Sequence, residues 1–281
     1  MKKSIVIFSA IGLGHIKPLL AVSKQLCFCG FSVYFYAASE YRPLVEQTGA
    51  CFKSMWGYEK RYRDYLLPVN ITYTNIALKQ GIEGIAEYVK SVLKLNALCT
   101  EIMTAEIKAL GPSCIIFDHV LHFPKQISYK LNIPAVSIAT DYAYSPVLLE
   151  KHPEYTLKKY FQILDNDSLN YAEIYEKIKK LSKECGQECG ILPFDQELLI
   201  NNMLSFTDYN IVFSVKEFQL YPDCFDDTFY FCGSYTQEID EDKLKQICTE
   251  IEYQKSDQII YISFGTSPLV NNNPDFLLKL F

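Results

Sequence analysis

No stretch of this chain approaches the ~20 consecutive apolar residues that a membrane-spanning helix needs. The N-terminal pair Lys2-Lys3 carries the charge of a signal peptide, but glycines soon interrupt the apolar run behind it, which is too short for a signal core. Positive charge is also in deficit. Lys and Arg number 27 against 33 Asp and Glu, a net charge of -6. That balance excludes the extended basic face with which nucleic acid or an anionic membrane is bound. Cysteine is too sparse for a disulfide scaffold, at 10 residues in 281. Cys185 and Cys189 form a C-x3-C pair, but no second pair follows at a zinc-like spacing, so no metal site is expected there. The chain reads as a soluble cytoplasmic protein with reduced thiols, whose partners are small molecules or other proteins.

What is present is apolar and aromatic material, 49% hydrophobic residues and 14% aromatic, ample for one large core or two smaller ones. The run Ser4-Ile-Val-Ile-Phe-Ser9 is continuous and β-branched, as in strands buried on both faces of a parallel sheet, and it stops at Gly12 and Gly14. Helical spacing from Ile16 to Cys29 and a second strand at Phe31 to Ala37 complete a βαβ unit, whose right-handed crossover makes the two strands parallel. A short helix at Tyr41 to Gln47 and a strand at Cys51 to Trp56 come next. A long amphipathic helix is predicted over Gly84 to Leu110, with Ile85, Val89, Val92, Leu93, Leu95, Ile102 and Ile107 as its buried stripe. Further strands are predicted at Cys114 to Phe117, Pro134 to Ala139, Asn210 to Ser214 and Phe229 to Gly233, with a helix through Gln126 to Lys130 and a charged helical portion from Glu150 to Ile200. This is an α/β pattern, a Rossmann-like parallel sheet flanked by helices. Past Gly233 the composition turns acidic and polar, and a new strand begins at Gln258 to Phe264.

Ligands of open α/β sheets bind outside the carboxyl ends of the strands. His15, in the turn after the first strand, therefore faces the crevice and is the first candidate for catalysis. A helix N-terminus lowers an imidazole pKa, so His15 is expected neutral and able to accept a proton. Asp118, at the end of a later strand, points the same way, although capping the following helix is an equally ordinary role for it. A carboxylate beside the histidine would hold its second nitrogen and stabilise the imidazolium. His119 and His122 are alternative bases, expected to face solvent or the next helix. Gly12-x-Gly14 is half of a dinucleotide fingerprint and Glu40 lies near the ribose position, but Lys17 stands where the third glycine belongs, which disfavours NAD binding. The aromatic segment around Trp56, Tyr58 and Tyr62, with Tyr142 or Tyr144 opposite, is the expected wall of a site for a hydrophobic small molecule.

Gly14-His15 with Pro18, Asp118 after a later strand, Ser214 to Pro222 continuing through Phe225-Asp-Asp227 to Gly233, and Ile259 to Thr266 occur in one order. Together they resemble the macrolide type of family 1 UDP-glycosyltransferases, which have the two-domain GT-B fold. The resemblance implies an acceptor-binding domain over 1–235, an interdomain linker and helix over 236–257, and the incomplete start of a donor-binding domain over 258–281. It makes His15 the general base and Asp118 its orienting partner, and it puts Gly14 and Thr266 beside the phosphates of a UDP-sugar donor, with no metal or other cofactor required. The donor half should follow Thr266 and is almost wholly absent, so the enzyme is expected to be represented by a fragment or completed by a separate chain. The alternative is a non-catalytic binding module that keeps the acceptor pocket and has lost the donor site.

Overall fold

The computed structural model describes residues 3–55, 81–155, 170–188 and 207–234, with the single positions Lys60, Leu157 and Asp242. Its strands are β1 (Ser4–Phe8), β2 (Ser32–Ala37), β3 (Cys51–Ser54), β4 (Cys114–Asp118), β5 (Ala135–Ala139), β6 (Asn210–Val212) and β7 (Phe229–Phe231). Its helices are α1 (Leu13–Phe28), α2 (Arg42–Glu46), α3 (Gly81–Leu110), α4 (Phe123–Leu131), α5 (Pro146–Lys151) and α6 (Tyr171–Glu188). The seven strands form one sheet in the order β3-β2-β1-β4-β5-β6-β7, and every neighbouring pair is parallel. The chain winds outward from β1 through β2 to β3, then returns to β4 on the other side of β1 and winds the opposite way. The order therefore reverses between β1 and β4, the switch point at which such sheets open a crevice.

Alternation along β1 shows how both faces are filled. Val6 and Phe8 point to one side, where they join Ile115 and Phe117 of β4, Leu95, Cys99, Met103 and Ile107 of α3, and Phe123 and Ile127 of α4. Ile5 and Ile7 point to the other, against Ile16 and Leu19 of α1, Val33 and Phe35 of β2, and Val45 of α2. A strand covered on both faces has no polar side, which is why the sequence reads there as an unbroken apolar run. On the α3 face Phe8 stacks on Tyr36 at 4.7 Å and meets Phe123 edge-on at 5.3 Å, the arrangements that ring quadrupoles favour.

Several sequence expectations are corrected here. Helix α3 buries residues four apart, Leu95, Cys99, Met103 and Ile107, whereas Ile102 is 47% exposed. One helical step is about 100° of rotation, so Ile102 is carried off the stripe that Met103 occupies. Strands β6 and β7 are each two residues shorter than their apolar runs. Backbone bonds from Phe213 to Ala139 and from Cys232 to Val212 extend the pairing by one position before the chain turns away. No described helix is long and apolar enough to cross a membrane. Cys185 lies in α6, and Cys189 lies outside the described residues. The predicted linker and the strand from Gln258 to Phe264 also lie outside them.

The short edge of the sheet is held by one buried amide. Asn210 Nδ2 donates to the carbonyls of Thr207 at 2.7 Å and Thr228 at 3.2 Å, and its Oδ1 accepts from the Thr207 amide at 2.9 Å. It thus ties the entry to β6 to the entry to β7. Asn210→Leu would strip the Thr207 amide and carbonyl of this side-chain partner and leave the Thr228 carbonyl only its bond from the Asn210 amide, a loss of about 1–3 kcal/mol. Chemical denaturation should register that loss, and the amides of β7 should exchange with solvent faster than those of β1.

Candidate functional site

The turn after β1 depends on Gly12, which adopts φ 130°, a backbone conformation that an L side chain resists. Its carbonyl accepts from the amides of His15 and Ile16 at 3.1 and 3.0 Å, starting α1 at Leu13. His15 therefore lies within the first helical turn rather than ahead of it, and so does Gly14, which is exposed. A Cβ at position 12 would stand 3.4 Å from His15 Cδ2, an ordinary contact, so it is the backbone angle and not crowding that calls for glycine. Lys17, at the third position of the half-fingerprint, is exposed.

The imidazole reaches back over the sheet. Its Nδ1 lies 2.8 Å from Oδ2 of Asp118, the last residue of β4. The Asp118 side chain is fully buried, while that of His15 keeps 31% exposure. Oδ1 of the same carboxylate accepts from the Val120 amide at 3.1 Å. Asp118 does not cap the next helix: α4 starts at Phe123 with His122 at the cap position and no side-chain cap bond. A third group stands at the same nitrogen, Thr140 Oγ1, 3.0 Å from His15 Nδ1. Thr140 directly follows β5, so three consecutive strands of the sheet converge on one imidazole.

A carboxylate only accepts hydrogen bonds, so Nδ1 carries the hydrogen and Nε2 keeps its lone pair. The expected lowering of the His15 pKa is overturned. Burial, the largest influence, does push it down, but the hydrogen bond and charge of Asp118 and the charge of Asp141 outweigh it, and the pKa ends above its ordinary 6.5. The fixed charge of a neighbouring carboxylate at 2.8 Å is closer and larger than the partial charge of a helix end.

The other candidates sit as follows. Of the expected surroundings, solvent or the next helix, solvent is excluded for His119 and His122, which are buried, and His119 Nε2 closes on Asp141 Oδ1 at 2.9 Å. Tyr142 is 40% exposed. Tyr144 is buried, its ring stacked 6.5 Å from Tyr155, which meets Tyr221 edge-on. Glu40 is exposed in a single helical turn after β2 and bonds the Tyr41 phenol. Trp56, Tyr58, Tyr62 and Thr266 lie outside the described residues. Thr140 was not singled out from the sequence as a site residue, although it stands at a strand end by the same reasoning that selected His15 and Asp118. Among the described residues no cluster of three or more His, Cys, Asp or Glu could hold a metal ion.

The raised His15 pKa has a definite sign in stability. Protonated His15 is favoured by the fold, so its contribution is complete below the ordinary 6.5 and is lost as pH rises through the raised value. Asp118→Asn should abolish that contribution and bring the His15 titration down below the wild-type midpoint, since burial then prevails; NMR titration of the imidazole reads both. Gly12→Ala should lower stability by about 1–3 kcal/mol through backbone strain, and thermal unfolding checks it.

No family model matches the chain. Among curated proteins it is similar to NDP-glycosyltransferase YjiC of Bacillus subtilis (strain 168), 28% identical over 266 residues that cover 94% of this chain and 57% of the relative. It is also similar to the uncharacterized UDP-glucosyltransferase YdhE of the same organism, 22% identical over 98% of this chain and 61% of the relative. The chain thus spans about three fifths of the length of the curated relatives it matches. Among solved structures it is similar to the glycotransferase of kitacinnamycin, with a TM-score of 0.55 at 16% identity over 84% of this chain and 53% of that one. The calicheamicin glycosyltransferase CalG4 gives a TM-score of 0.50 at 18% identity over 85% and 53%. In sequence the chain is similar to UDP- and NDP-glycosyltransferases, and its seven-stranded parallel sheet has the fold of the GT-B glycosyltransferases.

Proposed function

We propose that this chain is the acceptor-binding part of an inverting glycosyltransferase that moves a sugar from a UDP-sugar to a hydroxyl of a hydrophobic small molecule. The observation that carries the reading is the contact of His15 with Asp118 at the switch point of the sheet. Neither the curated relatives nor the fold decides which atom does the chemistry; the local geometry supports His15 Nε2. With Nδ1–H engaged, Nε2 is the basic nitrogen, and the half-exposed ring offers it to a ligand. The acceptor hydroxyl gives its proton to Nε2 as its oxygen bonds to the anomeric carbon. The bond from that carbon to the diphosphate breaks, and UDP leaves with the electron pair. Attack opposite the leaving group inverts the anomeric centre. Asp118, buried beside the ring, stabilises the imidazolium without receiving the proton.

In this reading residues 1–235 form the acceptor domain, 236–257 the linker and 258–281 the start of the donor domain, with Gly14 and Thr266 near the donor phosphates. Trp56, Tyr58, Tyr62, Tyr142 and Tyr144 line the acceptor side. The many free thiols, Cys27, Cys29, Cys51, Cys99, Cys114, Cys224 and Cys232 among the described residues, accord with a reducing cytoplasmic setting.

The test is product formation from UDP-glucose and a panel of phenolic acceptors, followed by mass spectrometry, with the chain joined to a donor-binding half. His15→Ala should slow transfer by about 10²- to 10⁴-fold, the usual worth of a general base, with the fold intact by circular dichroism. Because the base must be deprotonated, the wild-type rate should climb with pH through the raised His15 pKa and then level off. Transfer by His15→Ala at the wild-type rate would refute the assignment.

A further inference from the structure

The imidazole of His15 is held at one nitrogen by two oxygens from two different strands. Asp118 Oδ2 stands at 2.8 Å and Thr140 Oγ1 at 3.0 Å from Nδ1. We propose that Thr140 is a positioning residue that fixes the ring plane of His15, whose tautomer Asp118 already sets; its catalytic consequence rests on the reading of His15 as general base. Since the carboxylate can only accept, the single hydrogen on Nδ1 is shared between both oxygens, and the Thr140 hydroxyl directs its own hydrogen elsewhere. A ring tethered by one bond swings about that bond. A second acceptor at the same nitrogen, arriving from β5 rather than β4, removes the swing and aims Nε2 in one direction.

Thr140 is itself held by a braced loop. The Ala143 amide donates to Gln219 Oε1 at 3.0 Å, and the Ser145 hydroxyl donates to the Cys224 carbonyl while accepting from the Leu148 amide at 3.0 Å, capping α5. Residues 143–145, beginning three residues past Thr140, are thus anchored to the segment beyond β6. Among the described residues the charged groups acting on the imidazole are Asp118 and Asp141, the latter facing His119. Thr140 carries no charge. Its removal therefore alters geometry and hydrogen bonding at Nδ1 while leaving the field of the two carboxylates in place.

The experiment uses the 281-residue chain labelled with ¹⁵N in its histidines. In the wild type the two-bond ¹H–¹⁵N spectrum should show His15 with hydrogen on Nδ1 and a bare Nε2. Thr140→Val, which keeps the shape and removes the acceptor, should leave the hydrogen on Nδ1, shift the His15 ring resonances and move the midpoint to lower pH, because the lost bond favours the cation most. Thr140→Ser should restore the shifts and the midpoint, and Thr140→Ala repeats the deletion with less steric demand. With a donor half supplied, kcat for Thr140→Val should fall about three- to tenfold, the worth of one hydrogen bond, with KM unchanged and Ser again restoring it. Wild-type His15 shifts and midpoint in both the Val and Ala variants would overturn the proposal. A spectral response in a protein whose wild type transfers no sugar would uphold the tether and sink the glycosyltransferase reading, so the two failures are distinct.

Discussion

Everything at the candidate site depends on the parallel pairing of β1 with β4. The register sets Ile5 opposite Cys114 and Phe8 opposite Phe117, so the two strands run level and end level. One residue past Phe117 the chain places Asp118, and a few residues past Phe8 it turns through Gly12 into α1. A carboxylate and an imidazole 103 residues apart in sequence thereby arrive within 2.8 Å. A slip of one residue would turn Asp118 to the opposite face of the sheet, because strand side chains alternate. The apolar packing on both faces opposes that slip: Val6, Phe8, Ile115 and Phe117 would have to exchange places with Ile5, Ile7 and Ile116.

A fully buried carboxylate is costly unless its charge is answered. Asp118 is answered three ways, by the Val120 amide at Oδ1, by His15 at Oδ2, and by its place beside the N-terminal turn of α1, where the helix dipole is positive. The same arrangement raises the His15 pKa. A base of raised pKa is stronger when free but more often already protonated at neutral pH. The site therefore trades availability of the lone pair for its basicity, and Asp141, facing both His15 and His119, adds to that tilt.

The glycine and the proline of the opening stretch serve the same end. Gly12 supplies the backbone conformation by which β1 turns directly into a helix. Pro18, buried within α1, has no amide hydrogen to offer the Gly14 carbonyl, so that group on the first turn has no partner four residues on. Ile16 and Leu19 on the inner side of α1 seal against β1 and β2.

Local pattern in the sequence was enough to determine the strands, the first helix, the α/β class and the two residues at the strand ends. An apolar run that stops at a turn marks both a buried strand and the carboxyl end from which the next polar side chain reaches the crevice, and both are properties of a few neighbouring residues. His15 and Asp118 were legible for that reason. Their pairing was expected from the family resemblance rather than from local pattern, because the order of strands in a sheet is a matter of long-range pairing that no window of sequence contains. Thr140 escaped for the same cause: its significance lies only in β5 standing next to β4. Tertiary structure alone also decided the direction of the His15 pKa, since the sequence shows the helix end beside the histidine but not the carboxylate charges that fold onto it. It likewise decided which side of α3 is buried, turning Ile102 to solvent while Met103 enters the core, because a long amphipathic helix meets the sheet along one line of contact and that line is drawn by the sheet.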